Sequence, residues 1–383
     1  MLRAGVGLST LEEPGRAAEQ ACEEALAGAG RCDAAILLTG PGRGASMPEL
    51  LDAATGVLGS DAVVGTTAHG VLAPDREQVG DGALVVLAVS GIEAHPFLIP
   101  DVAGREEAAA EEVAARLAAA GREEDLVVLF PDPRTLDLGA LLAELGRALG
   151  DARIVGAGSA DPVSGVPLQF EGREVVSGGL AGIALRGKRP ARIGVTQACR
   201  PATDLLTVTR CRGHWVLELD GRPALEVYRE VARGPLAADL ARAAAFLLVA
   251  LPIEREPQTL RPGSYLVRHV IGFDERANAF AIPEAPRPGQ RVALAQREPE
   301  AAREDLKAML EGLGAGSPAF GLYLDCCARA MPFFGIPGLE SAYLARAFEG
   351  VPIAGMLGSC EIGPIGRSTQ LLTYTGVLAL IDA

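Results

Sequence analysis

Strand-length apolar runs alternate with amphipathic helical segments along most of the chain, and they recur in one order. "AAILLTG" (34–40) reads as a buried strand and is followed by a helical stretch, "MPELLDAATGVLG". Next come a glycine-rich elbow, "AVVGTTAHGV" (62–71), and a second strand, "GALVVLAV" (82–89). The same sentence is written again as "DLVVLF" (125–130), the helix "TLDLGALLAELGRALG", the elbow "IVGAGSADPV" (154–163) and "GLAGIAL" (179–185). A third version runs "FGLYLD" (320–325), "LESAYLARAFEG", "IAGMLGSCEIGPI" (353–365) and "GVLALID" (376–382). The spacing supports the repeat: Ile36 to Gly65 and Val127 to Gly156 are both 29 residues, and Leu322 to Gly355 is 33. Gly65 to Gly156 is 91 and Gly156 to Gly355 is 199, room for a divergent fourth unit between them.

Residues 204–300 read differently. "HWVLELDGRPALEVY" alternates around Asp220-Gly221, a two-residue hairpin signal, and a helix, "LAADLARAAAF", follows. Three strand-like runs come next, "YLVRHVIGF", "NAFAIPE" and "RVALAQRE". Amphipathic helices are expected at 105–120 and 300–313. The pattern predicts an α/β protein of two related lobes, 1–203 and 204–383, with mixed β-sheets layered with helices and built from strand-helix-elbow-strand units. Elbows one and two fall in the first lobe, elbow three in the second.

Composition narrows the class. At 49% hydrophobic and 22% charged residues the chain has ample apolar surface for a folded core. A formal charge of −14 with no basic stripe argues against nucleic acid as a partner. The longest apolar run, "AAAFLLVALPI" (243–253), is short of the roughly 20 residues that span a bilayer, and the N-terminus has no signal-like hydrophobic segment. Seven cysteines, an odd number, do not suggest a disulfide framework. A cytoplasmic protein with reduced thiols, apart from membranes, is expected.

Candidate chemistry gathers on the elbows. Each carries glycines and small residues and then a polar side chain: His69, Asp161, and Cys360 with Glu361. Glycines such as Gly355, Gly358 and Gly363 let a ligand approach bare backbone N–H groups, although no elbow matches a P-loop or dinucleotide fingerprint. The strand before the last elbow ends in "LDCCARAMPFFG" (324–335), which puts Cys326, Cys327 and Arg329 where open α/β sheets bind ligands. Arg329 is suited to a carboxylate. Cys326, Cys327 and Cys360 are candidate nucleophiles or small buried residues, and their spacing is not that of a zinc site. No metal or cofactor is expected.

"LYLDCCARA", "IAGMLGSCEIGPIG" and "LLTYTGVLAL" resemble the FIST family, the F-box and intracellular signal transduction proteins; "ELDGRPALEVY", "AAILLTG" and "VVGTTAHGVL" extend the resemblance over roughly residues 30–382. The resemblance implies an N-terminal and a C-terminal FIST module forming a sensory unit for small ligands such as amino acids. Cys360 and Ala328 stand where family members often carry glycine. With no kinase, PAS, methyl-accepting or F-box segment present, the signal is expected to leave through a protein partner. A thiol-dependent enzyme and a protein-interaction scaffold are the alternatives. On the leading reading, Arg329 takes the carboxylate and Glu361 the ammonium of an amino acid, in a cleft between the lobes.

Overall fold

A computed structural model describes residues 1–80, 82–117, 124–254, 257–314, 316–366 and 368–383. The chain forms two compact units, Met1–Val195 with Lys307–Ala383, and Thr196–Leu306. This division differs from 1–203 and 204–383: the chain leaves the first unit near residue 195 and returns at 307, so all three elbows lie in the first unit.

That unit is made of three similar passes. The first contains β1 (Arg3–Ser9), α1 (Pro14–Ala29), β2 (Ala34–Thr39), α2 (Met47–Leu58), β3 (Val63–Thr67), a hairpin of β4 (Gly70–Ala73) and β5 (Arg76–Val79), and β6 (Leu84–Ser90). The second contains β7 (Glu93–Ile99), α3 (Glu106–Arg116), β8 (Asp125–Pro131), α4 (Leu138–Ala148), β9 (Arg153–Ala157), the hairpin β10 (Gln169–Glu171) and β11 (Glu174–Val176), and β12 (Leu180–Arg186). The third contains β13 (Arg192–Gln197), α5 (Pro299–Leu313), β14 (Pro318–Cys326), α6 (Leu339–Ala347), β15 (Ile353–Gly358), the hairpin β16 (Glu361–Ile365) and β17 (Ser368–Leu372), and β18 (Thr375–Asp382). The helix expected at 105–120 is described as α3, and residues 118–120 lie outside the described residues.

Three six-stranded sheets result, ordered β1-β6-β2-β3-β10-β11, β7-β12-β8-β9-β16-β17 and β13-β18-β14-β15-β4-β5. The order is the same each time. In every sheet the fourth strand pairs parallel to the third, and its outer edge is covered by a hairpin from another pass. The hairpin of pass one completes sheet three, that of pass two completes sheet one, and that of pass three completes sheet two. The exchange hides three strand edges that would otherwise present unpaired N–H and C=O groups.

Local signals place the helices. The Glu13 side chain caps α1 by accepting from the N–H groups of Gly15 and Arg16, and Gly30 ends it at φ 75°. Asp137 accepts from the Ala140 N–H at the start of α4. Ala21, Ala25, Leu50 and Leu51 of α1 and α2 pack on Leu37 and Val86 of sheet one, and Val113, Leu141 and Leu145 of α3 and α4 pack with Val127 and Leu129 of sheet two. β2, β6 and β8 are buried along their lengths, hence their near-continuous apolar sequence.

The unit at Thr196–Leu306 is organised differently. It holds a nine-stranded sheet, and the pairings within it are antiparallel, so it is not a fourth copy of the pass. The 199-residue step from Gly156 to Gly355 is one pass with this unit inserted between β13 and β14. The two-residue turn forms as expected, with Asp220 at φ 48° and Gly221 at φ 76°. Its second arm is only Arg222–Pro223 before a helix, Ala224–Ala232, begins. The apolar positions of "PALEVY" fit one helix face as well as a strand, and Leu225 and Tyr228, one turn apart, are both fully buried.

Candidate functional site: an elbow ring beside a buried ionic cluster

Gly65, Gly156 and Gly355 occupy the same register position, opposite Leu37, Leu129 and Tyr323 of the neighbouring parallel strand. A Cβ at any of them would lie 1.7, 2.4 or 2.2 Å from the carbonyl oxygen of that partner. These glycines have no positive φ; their role is close approach of two backbones. Four residues beyond each, the elbows join in a ring. The Ala160 N–H donates to Thr67 O at 2.9 Å, the His69 N–H to Leu357 O at 2.9 Å, and the Ser359 N–H to Gly158 O at 3.1 Å. Each donor is the fourth residue after its glycine and each acceptor the second, so the three bonds repeat one contact around an approximate three-fold arrangement. Thr66 Oγ1 to Ser159 Oγ (2.6 Å) and Ser359 Oγ to Ser159 O (3.0 Å) reinforce it.

His69 and Asp161 are electrostatic neighbours on this ring. Asp161 is buried, its Oδ1 accepts from the N–H groups of Val163 and Ser164, and its Oδ2 has no partner. Burial lowers the His69 pKa and Asp161 opposes that shift.

Beside the third elbow lies an ionic cluster closed off from solvent. Arg329, Asp325 and Glu361 are each 0% exposed and Glu340 is 1% exposed. Arg329 Nε stands 2.9 Å from Asp325 Oδ1, though out of line for a hydrogen bond, and its Nη2 donates to Glu340 Oε1. The Tyr323 hydroxyl donates to the same Glu340 oxygen at 2.9 Å, and the Phe334 ring lies over the guanidinium at 5.7 Å. Glu361 Oε2 accepts from the Thr375 N–H (3.2 Å) and Oγ1 (2.8 Å). Two carboxyl groups, Asp325 and Glu340, share one guanidinium, and a third, Glu361, is buried in the same cluster. Burial pushes the Asp325 carboxyl well above the carboxylate range, with Glu340 adding to it, and burial does the same to Glu361 with Cys326 beside it. A protonated Asp325 would hydrogen-bond to Glu340. Burial disfavours the Arg329 charge, but Glu340 leads the groups that outweigh it and hold the guanidinium protonated. Glu361 Oε1 and Arg329 Nη1 have no hydrogen-bond partner.

Residues 34–222 match the FIST N domain and residues 224–364 the FIST C domain. This chain belongs to the FIST family. FIST domains are generally ligand-binding signal-transduction domains. Uncharacterized proteins of Mycobacterium tuberculosis are similar over nearly their whole length, one at 29% identity with 99% of each chain covered and another at 28% with 99% and 98% covered. Among solved structures, a chorismatase aligns with 100% of this chain and 99% of its own at 11% identity and a TM-score of 0.33. The cyanuric acid hydrolase of A. caulinodans aligns with 48% and 71% at 14% identity and a TM-score of 0.29. Neither likeness is close enough to carry an argument. The FIST C match holds every cluster residue named above except Thr375, and the FIST N match holds the first two elbows.

Within this FIST protein, the residues singled out from sequence fall into two adjoining groups. His69, Asp161 and Cys360 lie on the ring; Arg329 and Glu361 lie in the cluster, inside the first unit. Arg329 already faces two protein carboxyl groups, so any ligand reaches only its remaining nitrogen. Gly358 would bring a Cβ within 2.8 Å of the Ala157 Cβ, and Gly363 within 3.1 Å of Val377, so both serve packing. Cys326 and Cys360 are buried, and Cys327 is half-buried. A hydrogen bond with Cys327, then burial, raises the Cys326 thiol; burial raises Cys360; the Cys326 contact lowers Cys327. Among the described residues no hydrogen bond links His69 to a cysteine, no group of His, Cys, Asp and Glu is arranged to hold a metal ion, and no helix is long and apolar enough to cross a membrane. Sequence reasoning missed Glu340, Tyr323 and Thr375. The one available signal was Glu340 beside Leu339 on the buried face of α6.

Proposed function

We propose that this FIST protein is a sensor of a small polar ligand, such as an amino acid or small carboxylate, and relays occupancy to a protein partner. One observation carries the reading: a fully buried donor, Arg329 Nη1, and a fully buried acceptor, Glu361 Oε1, both stand without a partner. Leaving such groups unpaired costs on the order of 1–3 kcal/mol each, so native proteins rarely keep them without an occupant. A ligand with a carboxylate at one end and an ammonium at the other matches that pair. His69 and Asp161, with its unpartnered Oδ2, supply further polar groups on the adjoining ring.

The test is a thermal-shift screen of the whole chain against the standard amino acids and small mono- and dicarboxylates. A true ligand at one hundred times its Kd adds about 2.7 kcal/mol of stability. Glu361→Gln should weaken that ligand roughly ten- to hundredfold, the loss of one charge-assisted contact of about 1.5–3 kcal/mol. If no compound in the panel stabilises the protein, the amino-acid reading is lost.

A further inference from the structure

The stretch between Arg329 and Glu340 is a nine-residue apolar strap, "AMPFFGIPG" (330–338), tied at both ends to the cluster. Its outer surface is unusually greasy for a solvated segment. Met331 is 49% exposed and Ile336 50% exposed, and Pro332 and Pro337 are exposed beside them. The largest side chain of its inner surface is Phe334, 7% exposed and seated over the Arg329 guanidinium, with the smaller Ala330, next to Arg329 in sequence, also buried. The strap holds one helical turn, Met331–Phe334, closed by Gly335 at φ 71°, and it meets α6 at Gly338, φ 64°. Both backbone conformations favour glycine. The contacts that hold the strap include Phe334 on Arg329, the Phe333 and Phe334 rings at 4.8 Å, the Phe333 N–H donating to Ala330 O at 2.8 Å, the Arg329–Glu340 ion pair across its ends, and the Ser341 hydroxyl donating to Gly338 O at 3.0 Å.

We infer that residues 330–338 are the gate of the buried cluster, swinging on Gly335 and Gly338 with Phe334 as the latch. This deepens the sensory reading, since a site whose charged groups are 0% exposed needs a door. The door is placed where opening costs least: few buried side chains, no β-ladder, a glycine at each flexing point. Opening lifts Phe334 off Arg329 and shifts the exposed Met331 and Ile336, so the state of the site is written on the surface a partner would meet.

The experiment uses no ligand, so it can fail without touching the amino-acid reading, and the reverse. The whole chain is treated with phenylglyoxal, an arginine-selective dicarbonyl, and modification of Arg329 is followed by mass spectrometry. Phe334→Ala should speed modification of Arg329 at least tenfold, whereas Val127→Ala, a destabilising change in the core of sheet two, should leave it within twofold. Equal rates in Phe334→Ala and the unaltered chain overturn the gate, as does an equal rise in Val127→Ala, which would mean global opening. In the unaltered chain, hydrogen exchange provides a measure that does not depend on a variant folding. Amides of Phe333–Ile336 and Gly338 should exchange at least a hundredfold faster than those of β14. Exchange at the same rate as β14 likewise overturns it.

Discussion

At Glu361 the burial of a single carboxyl group decides both chemistry and stability. Its folded-state pKa is raised by burial, and so is that of Asp325. Between its unfolded and its raised folded-state pKa, such a carboxyl binds more protons in the native state than in the unfolded chain. Stability is therefore full below the unfolded carboxylate value, about pH 4, and falls as pH rises towards the folded pKa, by at most about 1.4 kcal/mol per pH unit for each such group. Glu361→Gln keeps the shape and removes one titration. Denaturant midpoints measured from pH 5 to 8 should fall less steeply in the variant, and an unchanged slope would show that Glu361 is ionised when folded. Glu77 on β5 adds a step in the physiological range, since burial and then Glu340 push it up to about 7. Cys360→Ser should cost little binding but about 1 kcal/mol of stability, because a hydroxyl replaces a thiol in an apolar wall.

At the scale of elements, the strand–elbow junction is the most demanding feature. Gly65, Gly156 and Gly355 let paired strands approach more closely than any Cβ allows. Alanine at each should destabilise the first unit by about 1–3 kcal/mol, because backbone rather than a flexible side-chain end must move. Similar losses in denaturant midpoint at all three would match their shared register; a neutral Gly156→Ala would show that the second junction relaxes. Much of this level was readable in advance. Continuous apolar runs announced the buried strands, and the 29-residue spacing from Ile36 to Gly65 and from Val127 to Gly156 announced their repetition. The helix at Ala224–Ala232 was not readable, because a short amphipathic run satisfies both periods until burial chooses one.

For the whole molecule, the discontinuity of the first unit is the decisive fact. β1 reaches α1 through residues 10–13 and β7 reaches α3 through residues 100–105, whereas β13 reaches α5 only after residues 198–298. Replacing 198–298 by a linker of about five residues should leave a folded three-sheet unit that still binds whatever ligand the full chain binds, since the ring and cluster lie within it. Calorimetry of the shortened chain checks this: a single cooperative transition is expected, and a chain that does not fold would show that the second unit is needed to build the first.

By itself the sequence determined the α/β class, the recurring strand-helix-elbow-strand order and the family, because periodicity, spacing and local motifs are properties of neighbours along the chain. Only the tertiary structure decided that three hairpins are exchanged around a ring, that the third pass rejoins the first two, and that Arg329 is shared by Asp325 and Glu340. Those outcomes depend on which strand edge finds which hairpin and on which charges lose their water together. Such pairings join residues as distant as Leu72 and Gly355, and no local pattern encodes them.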